Sequence, residues 1–280
     1  MHQARAALRR LLNGPEMVLA PFVYDGLQAR LAQRAGFKAV YMTGFGTAAA
    51  RGFPDLGLLT MSEMVNNVRM LSRAVNIPVV CDADTGYGEP INVLRTVHEY
   101  EDAGAAALHI EDQIWPKRCG FLEGKQVIPL ENMLAKIRAA LDARRDSDLV
   151  IIGRTDALAP MGWEEVVRRA RAYREAGADL IFVDGIKTLE DFRKCANLLS
   201  GLPLVYNGQL LPPAEIARYG FKLMIHTATL FAFYQRTRDA IGELARTGAI
   251  ADAPSIEILP EITKTLGAEE ILEFGRKHEV

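Results

Sequence analysis

The sequence predicts an α/β fold of the (β/α)8 TIM barrel class, and three observations lead there. Its 280 residues, 49% of them apolar, suffice for one large core and a single domain spanning 1–280. Eight short apolar runs, each closed by a polar cluster, alternate with amphipathic stretches. Four of the eight share one junction, in which a polar helical stretch meets a glycine and then the apolar run.

The first run is VLAPFVYD (18–25). The second comes through the first shared junction, RAGFKAVYMTG (34–44), and SEMVNNVRMLSRAV leads into the third, IPVVCDAD (77–84). EPINVLRTVHEYEDA feeds the junction DAGAAALHIED (102–112), and ENMLAKIRAALDARR feeds LVIIGRTD (149–156). WEEVVRRARAYREA runs into EAGADLIFVDG (175–185); LPLVYNG (202–208) and RYGFKLMIHT (218–227) complete the eight. Apolar residues three and four apart mark the long stretches as helices, and each junction glycine suits a left-handed residue that stops one. Continuous apolar runs suit strands covered on both faces, and eight of them alternating with helices close into a barrel. Residues 229–280 exceed what closure needs and read as a C-terminal helical extension, able to dock on another subunit or on its own barrel. A doubly wound sheet is the rival fold, with TGFGTAAARG as its dinucleotide loop, but Ala49 stands where GxGxxG needs its third glycine.

Acidic and basic residues nearly cancel, leaving a net charge of −2, and no basic block is present to neutralise a run of phosphates, so nucleic acid is not an expected partner. The N-terminus lacks the apolar core of a signal peptide and no later stretch has the length of a membrane span, so a cytoplasmic protein is expected. Cys81, Cys119 and Cys195 make neither a metal-type pair nor an even disulfide set, which fits a reducing compartment.

In a barrel, side chains at the C-terminal strand ends converge on one face. Those ends offer Asp25, Tyr41 with Thr43, Asp82 with Asp84, His109 with Glu111 and Asp112, Arg154 with Thr155 and Asp156, Asp184, Asn207 and His226. Residues two apart share a face, so Asp82 pairs with Asp84 and His109 with Glu111. Carboxylates clustered like this repel unless a cation intervenes, and hard oxygen ligands select magnesium, or manganese, over zinc. The rival reading has these acids capping helices or pairing with arginines. Lys117 and Arg118 flank Cys119 in the loop WPKRCGFLEGK and would favour its thiolate; the alternative is a solvated loop. Arg154 is placed to hold a carboxylate at two points or to close a structural ion pair. Tyr41 is the candidate base, and a lone histidine such as His226 is more often structural than catalytic.

The motifs YMTGFG, FPDLGLLT, CDADTGYG, HIED, PKRCG and GRTD, lying between about residues 21 and 240, resemble the isocitrate lyase and phosphoenolpyruvate mutase superfamily. That resemblance implies a homotetramer whose last helix is swapped between subunits, with Mg2+ on Asp82, Asp84 and Glu111. It implies a substrate carboxylate held by the backbone of Thr43, Gly44 and Phe45 and by Arg154, with Asp55, Gly120, Asp184, Asn207 and His226 as further substrate contacts. In the 2-methylisocitrate lyase branch the cysteine matching Cys119 protonates the departing fragment, which points to a carbon-carbon lyase acting on a small 2-hydroxy or 2-oxo dicarboxylate. Phe121 replaces the loop's usual histidine, Asp184 a longer glutamate, and VYNGQLL lacks a glutamate-containing turn. An oxaloacetate decarboxylase using a histidine near the last strand is therefore the alternative, followed by a phosphonomutase or a non-catalytic binding barrel.

Overall fold

In the computed structural model, which describes residues 2–120 and 123–278, the apolar runs form eight parallel strands. These are β1 (Val18–Val23), β2 (Val40–Met42), β3 (Val79–Asp82), β4 (Ala107–Glu111), β5 (Val150–Thr155), β6 (Leu180–Val183), β7 (Leu204–Asn207) and β8 (Leu223–His226). They are ordered β1 to β8 around a closed barrel, with β1 pairing β8 in the register Val18 to Leu223 and Pro21 to His226. Closure excludes the open doubly wound sheet, and TGFGTAAARG becomes a short helix inside a barrel. The helices are α1 (His2–Asn13), α2 (Gly26–Arg34), α3 (Gly44–Ala49), α4 (Met61–Ala74), α5 (Pro90–Ala103) and α6 (Leu130–Ala143). They continue with α7 (Leu158–Glu175), α8 (Leu189–Leu198), α9 (Pro213–Ala217), α10 (Ala228–Thr247), α11 (Leu259–Thr265) and α12 (Ala268–His278). The four junction glycines, Gly36, Gly104, Gly177 and Gly220, all have φ between +83° and +107°, the left-handed geometry that ends a helix and turns the chain into the next strand.

The period of two along each strand divides the core. Ala20, Phe22, Tyr41, Val80, Ala107, Ile152, Phe182, Val205 and Ile225 face the barrel axis. Met42, Cys81, Leu108, Ile151, Ile181 and Met224 face the surrounding helices, packed with Tyr100, Tyr173 and Phe192. The N-terminal end of the barrel is stopped by α1, whose Leu8 and Leu12 join the interior cluster. Two arginines fasten this helix: Arg5, 3% exposed, donates to the carbonyls of Ala105 (2.9 Å) and Glu101 and to Asp146 (3.0 Å), and Arg9 reaches Asp179 (2.6 Å). Beyond β8, α10 lies against β1, but Phe233, Tyr234, Ile241, Leu244, Ile271, Leu272 and Phe274 of the tail are 48–70% exposed.

Candidate active site

The inward phase of the strands continues past their ends and delivers the polar residues to one mouth: Tyr41 and Thr43, Val80 and Asp82, His109 and Glu111, Ile152 and Arg154, Phe182 and Asp184, Val205 and Asn207. A cavity of about 400 Å3 opens there, lined among others by Tyr41, Thr43, Phe45, Asp55, Asp82, Lys117, Cys119, Gly120, Arg154, Asp184, Asn207 and Thr227. His226 is not among them. It falls one residue out of phase with Leu223, Ile225 and Thr227, and its Nδ1 accepts the amide of Ala228 (3.3 Å) at the start of α10. Of the expected substrate contacts at the strand ends, His226 is the one that the structure sets outside this cavity.

Thr43 caps α3 through its hydroxyl, which accepts the Gly46 amide at 3.2 Å. The next amide, that of Gly44, donates to Asp82 Oδ2 (3.2 Å), and a methyl on Gly44 would stand 2.5 Å from that oxygen. Asp82 Oδ1 accepts the Asp84 amide at 3.0 Å. Burial pushes the Asp82 carboxyl up, but His109, Lys117 and Arg154 outweigh it and hold it at about 2. His109 itself is pushed down to about 4 by burial, so it is uncharged at neutral pH and gains its charge before the pH at which Asp82 takes up a proton. Asp84 sits at φ +46°, in the left-handed region that aspartate tolerates, with its carboxyl raised by burial. Glu111, 1% exposed, is raised well above the usual carboxylate range by burial, opposed by Arg154 Nε 3.2 Å away. The Tyr41 hydroxyl lies 2.7 Å from His109 Nε2, and burial together with Asp82 raises its pKa well above 10. A phenol raised in this way holds its proton more firmly than a free tyrosine does.

The basic groups of the mouth each meet acidic or carbonyl oxygens. Lys117 Nζ binds Asp55 (2.5 Å) and Asp84 (2.8 Å), and Arg118 donates to the Glu123 carbonyl (3.0 Å). Arg154 binds Asp156 at two points (2.9 and 3.1 Å) and Asp184 at 3.0 Å, over the Phe182 ring. Asp184 in turn accepts from Asn207 Nδ2 at 3.1 Å. Cys119, half-buried on the cavity, donates its amide to the Asp55 carbonyl at 3.1 Å. Phe121 lies outside the described residues. Asp112 takes no part: it is fully buried behind the mouth, held by Tyr173 (2.6 Å), Thr155 (2.7 Å) and Arg169 (2.9 Å).

Sequence reasoning passed over Lys125, whose buried ammonium reaches Asp156, and the apolar wall of Phe22, Pro54, Leu230 and Phe231. A lone lysine in a polar loop gives no periodic signal, and the run after β8 carries only the period of a helix beyond the barrel.

Six buried carboxylates, those of Asp55, Asp82, Asp84, Glu111, Asp156 and Asp184, gather around three cations, Lys117, Lys125 and Arg154. Glu111 Oε1 is buried without a hydrogen-bond partner, Asp84 Oδ1 meets the Lys117 ammonium at 2.8 Å, and an all-oxygen set in charge surplus fits a hard divalent cation. As the side chains stand, no three acidic, histidine or cysteine groups among the described residues are gathered tightly enough to hold one ion. Asp84 and Glu111 instead lean on Lys117 and Arg154.

Comparison with known proteins places these features in context. Residues 8–245 match the family described as phosphoenolpyruvate phosphomutase. The chain is 39% identical to a 2,3-dimethylmalate lyase of Eubacterium barkeri over 98% of its own length and 97% of the relative's. It is 42% identical to a 2-methylisocitrate lyase of Aeropyrum pernix over 88% and 81%. Among solved structures it is similar to oxaloacetate acetylhydrolase in complex with the inhibitor 3,3-difluorooxalacetate, with a TM-score of 0.93 and 38% identity, covering 99% of this chain and 97% of that one.

Proposed function

Because this chain belongs to the phosphoenolpyruvate mutase/isocitrate lyase superfamily, we propose that it is a magnesium-dependent lyase that cleaves a carbon-carbon bond of a small 2-hydroxy or 2-oxo dicarboxylate. The observation that carries this reading is that one cavity sets the Cys119 thiol of a loop together with Asp82 of the acid cluster and Arg154. The start of α3, where the Gly44 amide would leave Asp82 for the substrate, and the guanidinium of Arg154 orient the substrate's carboxylate next to the 2-oxygen. In a 2-hydroxy acid the hydroxyl gives its proton to one of the carboxylates of the mouth and its oxygen becomes the carbonyl of a 2-oxo acid as the bond between carbons 2 and 3 breaks. That bond's electron pair passes to carbon 3 of the departing fragment, which takes a proton from Cys119, and a 2-oxo acid reaches the same state once it has added water. Tyr41, protonated and fixed by His109, serves as a hydrogen-bond donor at the mouth. Magnesium, or manganese in its place, held by Asp82, Asp84 and Glu111, would supply Lewis-acid stabilisation of the charge developing on the substrate's 2-oxygen.

The walls favour small substrates. Lys117 and Arg154 are the basic residues lining the cavity, both already carry acidic partners, and Phe22, Phe45, Pro54, Leu230 and Phe231 form an apolar side. A dicarboxylate with an alkyl substituent meets that surface better than a tricarboxylate does. A decarboxylase built on a histidine near the last strand is disfavoured because His226 is turned to the backbone of α10. The exposed apolar faces of α10 to α12 support exchange of the tail between subunits of a homotetramer. No helix among the described residues is long and apolar enough to cross a membrane.

The test is release of a 2-oxo acid from 2,3-dimethylmalate and related C4 to C7 acids. Excess chelator abolishes it, as do Asp82→Ala and Asp84→Ala with the fold retained. Cys119→Ser lowers kcat about a hundredfold to ten-thousandfold while substrate binding persists, the usual worth of a positioned general acid. A loss of only a few-fold transfers the proton-donating role elsewhere and sinks the lyase assignment.

A further inference from the structure

Lys125 has a side chain only 1% exposed, an expensive place for a flexible, strongly hydrated ammonium. Its Nζ donates to the Gly120 carbonyl at 2.7 Å and to Asp156 Oδ1 at 2.9 Å, and stands 3.9 Å from Asp184 Oδ2. Each partner is tied to the chemistry of the mouth. Gly120 follows Cys119 directly, and its Cα is pressed so closely on the Asp184 carboxylate that a side chain there would collide with it and with Arg154. Asp156 and Asp184 are the two acids that hold the Arg154 guanidinium from β5 and β6. On the other side of the thiol, the Cys119 amide and the Lys117 ammonium both bind Asp55. The cysteine is thus bracketed between two anchors, one of which also orients the arginine.

We infer that Lys125 is a positioning residue, which fixes the Cys119 thiol relative to Arg154 by joining the loop carbonyl at Gly120 to the Asp156–Asp184 pair. The inference rests on the reading of Cys119 as proton donor given above. A purely structural role would instead have Lys125 do no more than neutralise buried Asp156. The two differ in what they ask of the thiol: a neutraliser leaves the geometry of Cys119 alone once the protein is folded, whereas a positioning residue does not.

The experiment compares the wild-type protein with Lys125→Met, and with Lys125→Gln should the methionine variant fail to fold, since glutamine retains a donor amide. Three quantities are read with magnesium present: the thermal midpoint, the rate of iodoacetamide alkylation of Cys119 with and without oxalate, and kcat and KM on the acid that is turned over. Alkylation of Cys119 is expected to rise several-fold in the variant and to lose its protection by oxalate. Because a displacement of an ångström at a reacting group can cost about a hundredfold, kcat is expected to fall about tenfold to a hundredfold with KM within about threefold. A folded variant whose alkylation matches wild type in both conditions overturns the inference, whatever happens to kcat. Altered alkylation with undiminished kcat overturns it too, because the loop would then be held without consequence for the reaction. Should the wild-type protein turn over none of the acids tested, the failure belongs to the proposed reaction, and alkylation alone decides whether Lys125 places the thiol.

Discussion

The narrowest contact at the mouth is between Gly120 and Asp184, where the backbone of the cysteine-bearing loop rests against a carboxylate that also holds Arg154. A methyl at Gly120 would stand 2.6 Å from Asp184 Cγ and 3.0 Å from Arg154 Nη2, so Gly120→Ala must lift the loop or turn the acid away. The barrel beneath is untouched, and the expected outcome is a fall in kcat of about tenfold to a hundredfold with the thermal midpoint nearly unchanged. Steady-state kinetics beside a melting curve checks it. Most of the residues that meet here were legible beforehand, because a strand has a period of two and the polar end of each run had to continue the inward phase. The same rule, applied to RYGFKLMIHT, would have placed Thr227 rather than His226 on the cavity, since Leu223 and Ile225 already set the phase. Loop contacts were not legible. Lys117 finds Asp55 across 62 positions and Lys125 finds Asp156 across 31, and no local pattern encodes either pairing.

At the scale of elements, α1 illustrates how an amphipathic helix outside the repeating units becomes part of them. Leu8 and Leu12 complete the barrel interior, while Arg5 ties the helix to α5 and to the turn at Asp146. Removing one member of a buried, hydrogen-bonded charge network typically costs about 3–5 kcal/mol, because the partners are left uncompensated. Arg5→Ala should therefore lower the thermal midpoint by several degrees without changing kcat, readable by calorimetry and assay together. The acid limb of stability carries a second sign of the same attachment. Burial pushes the Asp146 carboxyl up, but the Asp148 amide, Arg5 and His2 draw it down to about 2. A depressed carboxyl contributes stability that is complete above its unfolded value near 4 and is lost as the pH falls towards 2. Asp146→Asn should flatten the stability profile between pH 4 and 2 and leave it parallel to wild type above pH 5, measured by denaturant titration across that range.

For the molecule as a whole, the tail is the feature that a single chain leaves unresolved in energetic terms. The apolar side chains of α10 to α12 lie open where water would be displaced by a second subunit, and light scattering is expected to give four chain masses. Ile241→Asp combined with Leu244→Asp should shift that mass towards single chains, and a single-chain mass for the unaltered protein at micromolar concentration removes the exchanged tail from consideration. A different consequence follows from the pairing of β1 with β8. On the ribosome, Val18–Val23 is the first of the eight barrel strands to emerge and the last to find its second neighbour. Until Leu223–His226 follows, the nascent sheet carries an open edge of unpaired amides and carbonyls at β1, a template for pairing with another chain. Parallel strands so far apart in sequence also join slowly. Translation therefore holds the barrel in an aggregation-prone form from β1 until β8 is made, and its yield in the cell should follow chaperone capacity during elongation more closely than the stability of the finished barrel.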